Sequence, residues 1–93
     1  MGTPKKERQI LDEDLDNIKE ISAKVKQLRE QQGYSFEGFA NHIGLHRTTY
    51  YKLEQGKNFN ISTFLAVLRG LELSPLQFFK LLEEVPEKVI SKK

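Results

Sequence analysis

Residues 35–57 read SFEGFANHIGLHRTTYYKLEQGK, and this stretch decides the fold. It has the pattern of two short helices joined by a tight turn. Ser35 belongs to the residue types that cap the start of a helix. Gly44 closes the first helix and supplies the positive backbone angle that a sharp turn often needs. The second helix should run from about residue 47 to residue 55, and Gly56 should end it.

The second of these helices has two distinct faces. Tyr50 and Leu53 should point inward and, together with Leu45 of the turn, hold the helix against the core. The opposite face collects, at steps of three and four, the side chains of Arg47, Thr48, Tyr51, Lys52 and Gln55. Glu54 should point away from this outward face, toward the core side.

The outward face combines basic and hydroxyl side chains without an acid, which suits a DNA groove. Arginine can bind the edge of a guanine with two hydrogen bonds, and threonine can touch a thymine methyl group. The formal net charge of +2 permits such a partner but does not require it. The placement of the charges therefore matters more than their sum.

A long helix is predicted on the N-terminal side of this stretch. Acids at positions 12–14 favour a helix start, and Gly33 is a plausible helix end. Between them, apolar side chains recur at helical steps: Leu11, Leu15, Ile18, Ile21, Val25 and Leu28. One long helix, or two helices that meet near Glu20, should cover about residues 12–32.

Two further helices are predicted on the C-terminal side. Asn60 can cap a fourth helix, whose apolar side chains are Phe64, Leu65, Val67, Leu68 and Leu71. Ser74, Pro75 and Gln77 then combine a capping serine, a proline at the first helical position and a glutamine at the third. The fifth helix should end at Pro86, and its apolar side chains are Leu76, Phe78, Phe79, Leu81, Leu82 and Val85. No segment alternates with period two for long enough to form a strand. The predicted fold class is all-α, with five helices and an extended first helix.

The 93 residues suffice for one domain with one modest core. We assign residues 11–85 to that domain, residues 1–10 to a flexible basic arm and residues 86–93 to a C-terminal tail. The arm, which contains Lys5 and Arg8, could lie in a minor groove of DNA. A solvated terminus is the interpretation that we favour.

Composition argues against several classes of function. The chain has no cysteine, so it has neither disulfides nor thiolate metal sites. No run approaches the roughly 18 apolar residues of a membrane span, and residues 1–8 do not form a secretory signal. We therefore expect a cytoplasmic protein without a membrane partner. His42 and His46 have metal-ligand spacing, but Gly44 separates them at the turn, so no metal is expected. No nucleophile–base pair appears, so we expect neither an enzyme nor a cofactor.

The segment from Val25 to Phe79 resembles the Cro/repressor-type helix-turn-helix family, also called XRE-type. Members of this bacterial-type family include phage repressors and the controller proteins of restriction–modification systems. The matching residues are Leu28, Arg29, Glu30, Gly33, Ser35, Phe39, Ala40, Ile43, Gly44, Leu45, Tyr50, Leu53, Glu54, Gly56, Lys57, Phe64, Leu65, Gly70 and Leu71. The resemblance implies a five-helix fold whose third helix enters the major groove of operator DNA.

The resemblance also implies roles for particular residues. Base-reading side chains fall on Arg47, Thr48, Tyr51 and Lys52, with His46 at the helix entrance. Phosphate contacts are implied at the start of the second helix, near Ser35 and Phe36, and in the loop after the third, near Lys57 and Asn58.

Two positions depart from the family pattern. The family usually has glutamine at the position of Phe36, where it braces the third helix and touches phosphate. Either that contact is lost here, or Phe36 packs on something else. Glutamate is common at the position of Gly38, and its absence removes a capping box and costs about 1 kcal/mol of helix propensity.

The predicted fifth helix carries more apolar side chains than the edge of so small a domain can bury. An exposed apolar patch of this kind usually marks an interface. Related controller proteins pair through their last helix, so the resemblance implies the same contact. We expect a homodimer through Leu76, Phe79 and Leu82, which would place two recognition helices roughly 34 Å apart on DNA.

The sequence therefore predicts a sequence-specific transcriptional regulator that binds double-stranded DNA as a dimer on a near-palindromic operator. No small-molecule ligand is evident. The alternative is a protein-interaction or antitoxin-like module that uses the same fold without reading bases. The extended first helix and the departure at Phe36 keep that alternative open.

Overall fold

Five helices form within residues 11–83, which are the residues that the computed structural model describes. Their bounds are α1 (Asp12–Gln31), α2 (Phe36–Ile43), α3 (Arg47–Glu54), α4 (Ile61–Leu71) and α5 (Pro75–Glu83). These bounds confirm the predicted all-α class, and α1 is one continuous helix. The predicted basic arm, the C-terminal tail, Val85 and Pro86 lie outside the described residues.

Predicted capping residues start α4 and α5. The side-chain oxygen of Asn60 accepts the backbone N–H of Thr63 at 2.9 Å at the start of α4. At the start of α5, the Ser74 hydroxyl accepts the backbone N–H of Gln77 at 3.1 Å, and the Gln77 amide oxygen accepts the N–H of Ser74 at 2.8 Å. The capping box predicted for α5 is therefore complete, and its serine and glutamine satisfy two otherwise unpaired donors.

The core draws at least one side chain from every helix. Its buried apolar members are Val25 of α1, Phe39 and Ala40 of α2, Tyr50 and Leu53 of α3, Phe64, Val67, Leu68 and Leu71 of α4, and Phe78 of α5. The inward predictions for Tyr50 and Leu53 are confirmed, since both are fully buried. Leu65, although apolar, points outward from α4 and is 41% exposed.

Helices α2 and α4 approach each other closely at Gly70. A Cβ atom built on Gly70 would lie 2.0 Å from Cγ2 of Ile43 and 3.1 Å from Cζ of Phe39. These separations are shorter than van der Waals contact, so α4 needs a residue without a side chain here. The close approach anchors the back of α2, the helix that precedes the turn.

We expect Gly70→Ala to lower the free energy of unfolding by about 1–3 kcal/mol, because the added methyl group overpacks this contact. The loss should appear in denaturant unfolding even though alanine has the higher helix propensity. Ile43→Ala removes the nearest obstructing atom, so adding Gly70→Ala to that variant should cost less than adding it to the wild type. An equal cost in both backgrounds would show that the contact is not the cause.

Candidate nucleic-acid interface

The turn between α2 and α3 is built from three residues with separate tasks. Gly44 ends α2 in the left-handed region, with φ of 73°, which reverses the chain without the steric cost that a side chain would add. The N–H of Leu45 then donates to the carbonyl of Ala40 at 3.0 Å. His46 caps α3, because its Nδ1 accepts the backbone N–H of Thr48 at 3.3 Å. The turn thus holds the two helices in a fixed relation.

A buried ion pair orients α3 against α1. Nε of Arg29 lies 2.6 Å from Oε2 of Glu54, and the two side chains are only 7% and 6% exposed. Arg29 also donates from Nη1 to the carbonyl of Tyr34 at 2.8 Å, and the Tyr50 hydroxyl donates to Glu54. Because both charges are buried and hydrogen-bonded, rotation of α3 would leave them without partners.

The same network perturbs two protonation equilibria. The hydrogen bond to Glu54 raises the pKa of the Arg29 guanidinium above its ordinary value. Burial, and after it the hydrogen bond to Glu54, raises the pKa of the Tyr50 phenol. Both shifts keep the protons on the donors, so the network keeps its hydrogen bonds at neutral pH.

Sequence reasoning placed Glu54 on the core side but did not identify its partner. A signal was present: Ser22, Val25 and Arg29 follow one another at steps of three and four, and all three are buried on one face of α1. An arginine on a buried stripe requires an acid nearby. Ser22 belongs to the same contact, since its hydroxyl donates to the carbonyl of Leu53 in α3.

With α3 oriented in this way, its predicted outward face is exposed. Arg47, Thr48, Tyr51, Lys52 and Gln55 are all exposed, whereas Tyr50 and Leu53 on the opposite face are fully buried. The structure therefore brings together the four side chains that the resemblance assigns to base reading. They lie on the first two turns of α3, beside the first turn of α2.

An acid from α2 joins this face, which the sequence pattern did not reveal. Oε2 of Glu37 lies 2.9 Å from Nη2 of Arg47, and both side chains are mostly exposed, at 61% and 66%. The expectation of a face without acids therefore holds for the stripe on α3 but not for the surface as a whole. Exposed ion pairs contribute little to stability, so Arg47 can exchange Glu37 for another acceptor.

Phe36 packs against the aromatic side chains of α3, which decides between the two alternatives that the sequence left open. Its ring centroid lies 5.2 Å from that of Tyr50 and 6.2 Å from that of Tyr51. Phe36, Arg47, Thr48 and Tyr51 together line a recess of about 150 Å³ at the surface. The residue that replaces the usual glutamine therefore braces α3 with its ring.

The remaining predicted phosphate-contacting residues surround this face. Ser35 accepts the N–H of Gly38 at 2.9 Å, so half of the expected capping box survives without glutamate at that position. Lys57 and Asn58 follow α3 and are exposed.

His42 is exposed and stacks on Tyr34 with ring centroids 4.9 Å apart. Within residues 11–83, no group of three His, Cys, Asp or Glu side chains could hold a metal ion.

A second surface, on α5, carries the predicted dimer residues. Leu76 is 67% exposed and Phe79 is 44% exposed, while Leu82 is half-buried. A shallow groove of about 480 Å³ runs along these three side chains between α1 and α5, and its rim is charged: Glu20, Lys80 and Glu83. Phe78 is the buried residue of α5. Leu76 and Phe79 thus form an apolar patch at the surface, and Leu82 beside them also packs against the core.

Comparison with known proteins identifies the family. A family model described as a helix-turn-helix domain matches residues 20–77. The chain belongs to this helix-turn-helix family. No curated protein sequence matches the chain significantly. The resemblance drawn from the sequence is confirmed, and the helix-turn-helix itself consists of α2, the turn at residues 44–46 and α3.

Solved structures of one controller protein share this fold. The restriction–modification controller protein C.Esp1396I, as a tetramer in complex with its natural 35 base-pair operator, has 28% sequence identity and a TM-score of 0.66. The same protein bound to a 25 base pair operator site has a TM-score of 0.65, again at 28% identity. Each alignment covers 72% of this chain and 90% of the controller chain.

The wild-type C.Esp1396I structure gives the same correspondence. Its TM-score is 0.65 at 28% identity, and the alignment again covers 72% of this chain and 90% of the other.

Within residues 11–83 of the present protein, no helix is both long enough and apolar enough to cross a bilayer.

The buried phenol of Tyr50 makes folding sensitive to alkaline pH. Because its pKa is raised in the folded state, folding gains stability that is fully present below the ordinary pKa of 10.0 and is lost as pH rises toward the folded value. We expect part of the tyrosinate absorbance to appear together with unfolding in an alkaline titration. Tyr50→Phe should abolish that component, and Tyr51→Phe should retain it. A component that survives in Tyr50→Phe would contradict this assignment.

Proposed function

We propose that this protein is a sequence-specific DNA-binding transcriptional regulator that acts as a dimer on a near-palindromic operator. The observation that carries the proposal is the exposed face of α3, where Arg47, Thr48, Tyr51 and Lys52 share one stripe. The buried pair of Arg29 and Glu54 holds this helix from behind. A helix fixed in this way can enter a major groove without losing its orientation.

Each side chain of the stripe suits a particular group on DNA. Arg47 has four donors beyond the one that faces Glu37, enough for the two acceptors on the edge of a guanine. Lys52 can donate to the same kind of acceptor, and Thr48 offers a hydroxyl and a methyl group. Because Arg47 is 66% exposed, it can turn from Glu37 toward a base without unpacking the core.

Phosphate contacts would come from both ends of the helix-turn-helix. Lys57 and Asn58 are exposed after α3, and His46 lies at its start. Ser35 and Phe36 begin α2, where backbone N–H groups and the helix dipole favour an anion. Such contacts set the register on the duplex, whereas the base edges supply the sequence preference.

The solved relatives support this assignment. The structures of C.Esp1396I include a tetramer in complex with its natural 35 base-pair operator and a complex with a 25 base pair operator site. The alignment of C.Esp1396I with this chain, at 28% identity, extends over most of both chains. We infer an operator as the DNA partner of this protein as well, and regulation by promoter occlusion or polymerase recruitment.

The apolar patch on α5 supports a two-fold dimer. Leu76, Phe79 and Leu82 lie along one groove, and two of them are substantially exposed. Pairing of two such patches would remove apolar surface from water and set two α3 helices about one turn of DNA apart. Because one α3 reads only half of a palindrome, the second α3 of the dimer would read the other half-site.

A DNA partner and a bacterial regulator fold favour action in the bacterial cytoplasm.

Arg47→Ala should cost about 1–3 kcal/mol of operator binding and relax the preference at one base pair, because it removes a base contact. Lys57→Ala should weaken binding to all sequences alike and reduce the salt dependence, since it removes one phosphate contact. The measurement is a titration of a DNA site, selected from random duplexes, at several salt concentrations. Lys26→Ala, which removes an exposed cation of α1 outside both surfaces, is the matched control and should leave binding unchanged.

Two results would contradict this proposal. One is operator affinity that neither Arg47→Ala nor Lys57→Ala changes. The other is a selection that enriches no DNA sequence while the protein retains a stoichiometric protein partner from its host. The second result would favour the protein-interaction module instead.

Phe79→Asp should raise the dimer dissociation constant at least about tenfold, because the interface would lose a large apolar side chain and gain a buried charge. Sedimentation equilibrium would detect a dimer of the wild type at micromolar concentration and a monomer of the variant. Ala23→Asp adds the same charge at an exposed position of α1 and should leave the dimer intact. A monomeric wild type at that concentration would rule out the α5 dimer.

A further inference from the structure

The recess beside Arg47 has apolar walls on a surface that is otherwise polar. Phe36 from α2 and Tyr51 from α3 form two of its sides, and Thr48 and Arg47 complete it. Tyr51 is 50% exposed, so a large part of its side chain faces outward. The ring of Phe36 has no polar atom, so hydrogen bonding to base edges or phosphates does not explain its presence at this surface.

The Phe36 wall of this recess is supported from below. The ring of Phe36 lies against Tyr50, which is fully buried and donates its hydroxyl proton to Glu54. The ring of Tyr51 meets Phe36 edge to face, with an interplanar angle of 88°. The Phe36 wall is therefore in place before any ligand arrives, and binding need not order that side chain.

The arginine that lines the recess can exchange partners. Arg47 is held by Glu37 at 2.9 Å across an exposed pair, and Lys52 follows on the same face of α3. A recess with two aromatic walls beside Arg47 and Lys52 is complementary to a polyanion that also displays a small apolar group. A purely apolar partner would leave these charges desolvated.

In the major groove of DNA, the apolar group on a base edge is the methyl group at C5 of thymine. Methylated cytosine carries the same group at the same ring position. We propose that the recess formed by Phe36, Thr48 and Tyr51 is a subsite for the 5-methyl group of a pyrimidine in the operator. The subsite rests on the proposed function, because it requires α3 in the major groove.

This assignment explains the departure at Phe36. A glutamine at that position would offer polar atoms to a phosphate, whereas the phenylalanine ring offers an apolar surface to a methyl group. The position would then contribute to base discrimination as well as to bracing α3. Burial of one methyl group in an open recess corresponds to about 3- to 10-fold in affinity.

The test begins with a duplex selected from random DNA by the wild-type protein. Each thymine of the half-site is replaced in turn by deoxyuracil, which removes the methyl group alone. We expect a 3- to 10-fold loss of affinity at one position of each half-site. If that position holds cytosine, methylation at C5 should raise affinity by the same factor. These two arms distinguish thymine from methylated cytosine as the source of the methyl group.

Protein variants then connect the methyl effect to the recess. Tyr51→Ala removes an exposed wall and should abolish the difference between thymine and uracil, and Phe36→Ala should do the same. Thermal unfolding checks that both variants are folded, and Tyr51→Ala keeps the test valid if Phe36→Ala is not. Lys52→Ala is the control: it should weaken binding but preserve the methyl effect.

The possible failures can be told apart. If no duplex is selected, both the proposed function and the subsite are wrong. If a duplex is selected but neither uracil substitution nor cytosine methylation changes affinity at any position, only the subsite is wrong. If the methyl effect survives both aromatic substitutions and disappears in Thr48→Ser, the methyl group contacts threonine alone and the aromatic recess is overturned.

Discussion

The orientation of α3 depends on the buried ion pair between Arg29 and Glu54. Burying two charges is costly, and the cost is offset only while the pair and its additional hydrogen bonds are intact. Here the carbonyl of Tyr34 and the hydroxyl of Tyr50 provide those bonds. Any other rotation of α3 would separate the charges, so the pair selects which face of the helix remains at the surface. Exposure of Arg47, Thr48, Tyr51 and Lys52 is a consequence of that selection.

The interface therefore combines a rigid base with adjustable outer side chains. Beneath the surface, Tyr50 and Leu53 are fully buried and the turn is fixed by Gly44. At the surface, Arg47 is held only by an exposed pair with Glu37, whose energy is small. A rigid helix sets the register on a duplex, while a loosely held arginine can adapt to a base edge. Phe36 lies between the two layers, because its ring braces α3 and also lines the surface recess.

The small size of the domain explains why α5 exposes apolar side chains. A domain of this size has a modest core, and α4 already fills much of it with Phe64, Val67, Leu68 and Leu71. Among the described residues of α5, Phe78 is the one that is buried, which leaves Leu76 and Phe79 at the surface. Apolar surface that one copy cannot cover is the physical basis for pairing with a second.

The sequence by itself determined the all-α class and the starts of α2, α4 and α5, because helix starts depend on nearby residues. Ser35, Asn60 and Ser74 cap within three residues of themselves, and Gly44 satisfies a local backbone requirement. Periodicity likewise predicted which side of α3 is buried, since each helical turn repeats along the chain. The base-reading stripe followed from that periodicity together with the family resemblance.

Only the tertiary structure decided which distant residues meet. The pairs of Arg29 with Glu54 and of Arg47 with Glu37 join separate helices, and helical periodicity does not specify a partner on another helix. For the same reason the sequence left two alternatives open at Phe36: the contact that the family's glutamine makes is lost, or the ring packs on something else. The packing of Phe36 against Tyr50 and Tyr51 answered that question. The acid beside Arg47 and the aromatic recess arise from the angle between α2 and α3. That angle is set by core packing, the turn and the buried ion pair acting together.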